Sequence, residues 1–285
     1  MKRLIFSFAV VVSIVVFSTV VFAAPEVGGV KDLSNRKVLL VSDIDDTIKV
    51  SHILSPAKYL RFADGSTPFT GMAQLYQLIR NKNPQTTEIA YLSNAPEEIA
   101  GFDIMKQSHE NFLARNKFPQ GNLLLRQSLK DQNHKINTIR KLVSEVQPEV
   151  LIMVGDNGER DAEIYAQAQK ELSAQNIEIH IYIHQLYSSQ GWYQTGKALQ
   201  TGELGFVTPF EIALDLKQYN LISQDSLQWM FKNVMPYILN EGLLKVDLGS
   251  PVTFPFFKDC SDFRWTFIVP VEMLPLSKKI NQKCF

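Results

Sequence analysis

A chain of 285 residues with 45% hydrophobic and 20% charged side chains has the composition of a globular protein, long enough for one large or two small domains. Its 29 basic residues are matched by 29 acidic ones, which argues against a nucleic-acid partner held by a basic excess and leaves no bulk positive charge for a membrane. No internal repeat is present, and nothing in the pattern predicts a protein partner.

The chain opens with Lys2 and Arg3, continues with an almost wholly apolar run from Leu4 to Val20, and supplies small residues at Val21 and Ala23. This order predicts a signal peptide over residues 1–23, cleaved after Ala23, and hence export to a periplasmic or secreted location. An uncleaved membrane anchor is the competing reading, because the apolar run approaches spanning length.

The organising stretch is Lys37 to Thr47, KVLLVSDIDDT. Val38 to Val41 suit a strand buried on both faces, and the polar residues that follow fall at its carboxyl end, where open α/β sheets bind ligands. Asp43, Asp45 and Asp46 stand close enough to repel, so a cation is expected among them, most simply a hard divalent ion with oxygen ligands. A solvated, metal-free turn is the plain alternative.

Met72 to Arg80 has the apolar spacing of a crossover helix, which leaves Ile48 to Thr70, with Pro56, Gly65 and Pro68, as a loop or short flap. That insertion is too short for a cap domain, so the site is expected to be open. Glu88 to Leu92 reads as the second strand, ending in Ser93 and Asn94, which either bind phosphate or cap a helix running from about Glu97 to Arg115. Asn122 to Arg126 is the third strand, and His134-Lys135 opens an amphipathic helix. A cation at a helix start opposes the helix dipole, a small reason to assign Lys135 to an anion. Val150 to Val154 is the fourth strand and runs into GDNGERD, where Gly155 permits close approach, Asp156 stands at the carboxyl end and Asp161 begins a helix from Ala162 to Glu171. Ile177 to Ile183 is the fifth; His180 and His184 share one face of it but lack a third ligand, and are read as structural.

Beyond Tyr187 the pattern weakens. Tyr187 to Gly205 reads as loop, Leu227 to Leu239 as an apolar helical stripe interrupted by Pro236, and Phe254, Phe256, Phe257, Phe263, Trp265 and Phe267 as an aromatic cluster that packs on the sheet or faces a membrane. Cys260 and Cys284 form a disulfide or remain two free thiols; their spacing fits no zinc site.

Five strands alternating with helices predict an α/β fold, a doubly wound and mainly parallel sheet without a large cap, occupying residues 36–187, with an α+β extension over 188–285 packed on it. The order Asp43/Asp45, Ser93, Lys135, Asp156/Asp161 resembles the four motifs of the haloacid dehalogenase superfamily. SDIDDTIK, YLSNAP, FPQGNLLLR, HKINTIRKL and GDNGERDAEIY resemble, more narrowly, the phosphatidate phosphatase catalytic domain of the yeast actin-patch protein family. The chain departs from that pattern at Asn157, where the family tends to have Ser, and at Gln127-Ser128, where an aromatic is usual.

The resemblance implies a Mg²⁺-dependent phosphatase. Asp43 would attack phosphorus and carry it as an aspartyl phosphate, while Asp45 would protonate the leaving alkoxide and then activate water. Mg²⁺ would be held by Asp43, the backbone carbonyl of Asp45 and Asp156; Thr47, Ser93, Asn94 and Lys135 would grip phosphate oxygens; and Asp161 would orient Lys135 or a water. Asp46 is read as a structural acceptor in the turn. A phospholipid substrate, at a membrane surface, is expected: besides the resemblance, an uncapped site favours a bulky ester. A broad soluble phosphomonoesterase and a secreted, non-catalytic phosphate-binding protein are the alternatives.

Overall fold

In the computed structural model, which describes residues 31–55, 67–98, 101–190, 196–240, 260, 263–266 and 268–284, the run after Lys37 forms β1 (Val38–Ser42), buried throughout. It pairs in parallel with β2 (Thr87–Pro96) on one side and β4 (Val150–Asp156) on the other. Outside β2 lies β3 (Asn122–Arg126); outside β4 come β5 (Glu178–His184) and then β6 (Glu203–Phe206). The order β3-β2-β1-β4-β5-β6, with every pair parallel, puts β1 and β4 in the middle, where both faces are covered and continuous apolar sequence is required.

Alternation along the central strands divides the core into two layers. Val38, Leu40, Ile152 and Val154 meet α1 (Met72–Lys82) through Leu75, Tyr76 and Ile79, and α2 (Ile104–Arg115) through Phe112. Leu39, Val41, Leu151 and Met153 meet the other face, where α3 (His134–Val146) contributes Ile136, Ile139 and Val143 and α4 (Asp161–Leu172) contributes Ala162, Tyr165 and Ala168. This is the doubly wound arrangement the strand pattern predicts. Each fully buried Leu or Ile stabilises it by about 1.5–3 kcal/mol.

The extension joins the first layer. Helices α5 (Pro209–Gln218), α6 (Gln224–Asn233) and α7 (Met235–Leu239) bury Phe210, Leu216, Leu227, Met230 and Ile238 in the same cluster as β1. α5 starts at a capping box in which Thr208 and Glu211 satisfy each other's end groups. Pro236 falls in the first turn of α7, so the apolar stripe is two helices. Cys284, at the end of α8 (Leu274–Cys284), is disulfide-bonded to Cys260, and Phe263 is buried beside Trp265.

Three boundaries differ from the sequence reading. A sixth strand, β6, lies at the end of the stretch read as loop; ELGF is too short and too mixed to show a period of two. The second strand does not end at Leu92. It continues to Pro96, which pairs with Arg126, and the Glu97 amide donates to the Arg126 carbonyl, so this segment stays extended along β3. The helix expected from Glu97 therefore begins at Ile104, because those backbone groups are used by the neighbouring strand. The proposed leader, residues 56–66 of the 48–70 insertion, and Phe254, Phe256, Phe257 and Phe267 lie outside the described residues.

Candidate active site

The carboxyl ends of β1, β2 and β4 bring the polar motifs together. The Asp43 amide donates to the Val154 carbonyl, which carries the parallel ladder one residue past β1 and fixes the Asp43 side chain at the sheet edge. One carboxylate oxygen of Asp43 accepts from Lys135 Nζ at 2.7 Å, the other from Thr47 Oγ1 at 2.8 Å. Lys135, in the first turn of α3, is buried and also donates to Asp161 Oδ1 at 2.5 Å. Asp156, at the end of β4, accepts from the Gly158 amide at 2.5 Å. Gly155 makes this packing feasible: a Cβ there would lie 2.6 Å from the Asp161 side chain.

Asp43, Asp156 and Asp161 offer oxygen atoms that all lie within 4.8 Å of one another, and all three are buried. Burial, together with the neighbouring carboxylates, holds Asp43 and Asp156 well above the ordinary carboxylate range, although Lys135 pulls Asp43 the other way. Burial also pushes Lys135 down, but Asp161 and Asp43 outweigh it and keep the ammonium charged. Three buried acids against one buried lysine leave a deficit of positive charge. All-oxygen donors with such a deficit suit a hard divalent cation. The carboxylate of Asp45 stands outside this group among the described residues, in keeping with a sequence reading that takes only the backbone carbonyl of that residue as a ligand.

Ser93 is buried, with its hydroxyl accepting from the Ala95 amide, and Asn94 donates to Glu159 Oε2. Both line a cleft of about 530 Å³ whose wall also carries Asp43, Asp45, Leu54, Arg126, Arg160 and Lys197. Thr47, read as a phosphate ligand, has its hydroxyl on Asp43. Three larger cavities lie away from the acids: two, of about 790 and 730 Å³, beside the amino ends of β4 and β5, and one, of about 610 Å³, between α1 and α6.

Asp46 has a left-handed backbone (φ 60°) and acts as a clamp. Its side chain accepts from the amides of Ser51, His52 and Ile53 and from the Tyr187 hydroxyl, at 2.6 to 2.9 Å. Its carbonyl lies 3.1 Å from His184 Nδ1, which locates His184 in the support of the turn. Asp46→Ala is expected to destabilise the fold by about 3–4 kcal/mol in urea titration, by stranding buried donors and leaving Ala at positive φ. Asp46→Asn, which tolerates that backbone, loses less; equal losses would place the effect outside the clamp.

The sequence reading assigns no role to several residues in or beside the cleft. Lys49 and His109 are fully buried beside Asp45, a position that neither the strand nor the helix period predicts. Arg126 arrives with β3. Lys197 comes from beyond the stretch that carries the motifs, held in place by its amide on the Asn157 carbonyl.

Residues 38–185 match the family model for the catalytic domain of phosphatidate phosphatase APP1. The comparison with curated proteins finds no match. Among solved structures, a chain from "Structure of Pnkp1/Rnl/Hen1 complex" is similar at 17% identity and a TM-score of 0.35, with 52% of this chain and 46% of that one covered, so the chain spans about half the length of that relative.

Proposed function

The chain belongs to the family of the phosphatidate phosphatase APP1 catalytic domain, which makes it a phosphatidate phosphatase-like phosphoric monoester hydrolase, and from that premise we propose that it hydrolyses phosphatidate to diacylglycerol and phosphate through an aspartyl phosphate on Asp43, with Mg²⁺ as cofactor. The observation that carries this reading is the setting of Asp43: a carboxylate at the floor of an open cleft, gripped on both oxygens by Lys135 and Thr47, with a second carboxyl, Asp45, on the same wall.

In the first half-reaction a carboxylate oxygen of Asp43 forms a bond to phosphorus as the bond to the ester oxygen breaks, and Asp45 donates its proton to the departing alkoxide. In the second, Asp45 takes a proton from water as that water attacks phosphorus, which releases phosphate and restores Asp43. Lys135 offsets the charge on the transferring group, and Ser93 and Asn94 line its path. Asp43 and Asp156, with the Asp45 carbonyl, would hold the divalent ion, which supplies further neutralisation of phosphate charge. Asp161 keeps Lys135 aimed at Asp43.

Exposed apolar side chains in the segments that follow β1, β2 and β3 support a lipid substrate. Leu54, Phe102, Ile104 and Leu129 are exposed large apolar residues, Phe102 at 65% and Leu129 at 64%. They follow the carboxyl ends of β1, β2 and β3, the edge on which the cleft opens, and Leu54 lines it. Apolar side chains here would enter the acyl boundary while the phosphate reaches Asp43. The disulfide between Cys260 and Cys284 supports an oxidising destination, in keeping with export through residues 1–23; a mature amino terminus at Ala24 is the result expected from N-terminal sequencing.

The test is phosphate release from phosphatidate vesicles and from a water-soluble phosphomonoester, with Mg²⁺ and with EDTA. Release from vesicles that stops in EDTA is expected. Release from the soluble ester alone overturns the lipid substrate, and release undiminished by EDTA overturns the metal. Phe102→Asp combined with Leu129→Asp is expected to lower vesicle turnover about 10-fold, the equivalent of some 1.4 kcal/mol of lost apolar insertion, while sparing the soluble ester.

A further inference from the structure

We propose that Lys49 and His109 are positioning residues that hold the Asp45 carboxyl apart from the Lys135 cluster and aim it at the leaving-group oxygen. The inference rests on the reading of Asp45 as proton donor.

Four acidic side chains, Asp43, Asp45, Asp156 and Asp161, follow the carboxyl ends of β1 and β4, and Lys135 is the buried cation at their centre. It is taken up by Asp43 and Asp161. Asp45 is engaged elsewhere: its Oδ1 accepts from Ser51 Oγ at 2.5 Å and lies 3.8 Å from Lys49 Nζ, and its Oδ2 lies 3.5 Å from His109 Nε2. The carboxylates are thus split into two groups, each with its own cation, and the proton carrier stays separate from the nucleophile.

Packing alone accounts poorly for these neighbours. Lys49 and His109 are both 0% exposed. Neither ring nitrogen of His109 has a hydrogen-bond partner among the described residues, and such burial of a polar ring is unfavourable where an apolar side chain would fill the same space. His109 and Phe112, three apart and so on one face of α2, are the two buried residues of that helix, and Phe112 places its ring 5.9 Å from Lys49 Nζ. One face of α2 therefore delivers the imidazole to Asp45 and a ring to the lysine that flanks it. Contacts of 3.5 to 3.8 Å are long for hydrogen bonds; catalytic contacts of this kind tighten when substrate is bound.

A misaimed acid harms poor leaving groups far more than good ones, a signature that general destabilisation does not produce. We would compare an alkyl phosphate with p-nitrophenyl phosphate by kcat/KM, which reports the steps through leaving-group departure, for Asp45→Asn, His109→Phe, His109→Gln and Lys49→Met, with melting temperatures alongside. His109→Phe and Lys49→Met are expected to lose about 10- to 100-fold on the alkyl ester and under about 3-fold on the aryl ester, with His109→Gln recovering part of the loss. Equal losses on both esters, tracking the fall in melting temperature, would overturn the proposal in favour of packing. If Asp45→Asn shows the leaving-group dependence and the other variants do not, the positioning role fails and the acid stands. If Asp45→Asn shows none, the acid falls and the positioning role with it. Should His109→Phe not fold, His109→Gln and Lys49→Met give the same discrimination.

Discussion

Asp43→Asn is expected to reduce phosphate release by about 10⁴-fold or more on every ester, because an amide cannot form the bond to phosphorus and the remaining groups only bind and polarise. The change is nearly isosteric, and the amide oxygen can still accept from Thr47 or Lys135, so folding is retained. In EDTA the variant should be the more stable protein at neutral pH. Burial raises the pKa of Asp43 above its unfolded value, so the native state holds its proton more tightly than the unfolded chain does. That contribution is fully present below the unfolded pKa and is lost as pH rises through the folded one. Removing the titrating group removes the loss, and the difference in melting temperature should grow from about pH 4 upwards. Residual turnover near the wild-type rate would refute Asp43 as nucleophile, whereas a stability deficit widening with pH would show that its charge is compensated better than its burial indicates.

Lys135→Met has the second large effect, on activity and stability together. The stem is replaced at similar volume, so the missing group is the ammonium that bridges Asp43 and Asp161. Losing one preorganised cation at a transferring phosphoryl group should lower kcat by about 10³-fold. Breaking a buried pair from one side should destabilise the fold by about 3–5 kcal/mol at neutral pH. The pH dependence identifies the cause. Burial already raises the pKa of Asp43 and Asp161, and without Lys135 both rise further. Their contribution is present below the unfolded carboxylate pKa and disappears as pH rises through the folded values, so the deficit against wild type should be small near pH 4 and largest above pH 7. A deficit that does not change with pH would mean that Lys135 acts through its aliphatic stem.

Much of this molecule is readable from local pattern. Val38 to Val41 and Val150 to Val154 are apolar at every position because β1 and β4 are covered on both faces, and a continuous apolar run is the record of that burial. The amphipathic stripe of α3 is equally plain, and so are the acids where β1 and β4 end. Ligand-bearing residues at strand ends sit beside their own strand, so their place in the sheet follows from the strand itself. Glu97 shows the limit of the same approach. It has the features of a first helical turn, yet its amide is taken by Arg126 of β3, 29 positions on, and the backbone stays extended.

What the amino-acid sequence determined by itself was five of the six strands of the sheet, its two faces and the set of acids at its carboxyl edge, since these depend on apolar runs and periods that a single segment displays. What only the tertiary structure decided was the pairing of charges. Lys135 reaches Asp43 across 92 positions, Tyr187 reaches Asp46 across 141, and Lys49 and His109 lose all exposure beside Asp45. The physical reason is that burying a charge is unfavourable unless a partner meets it, and the partner comes from another element, so the favourable outcome has no counterpart in the neighbouring sequence.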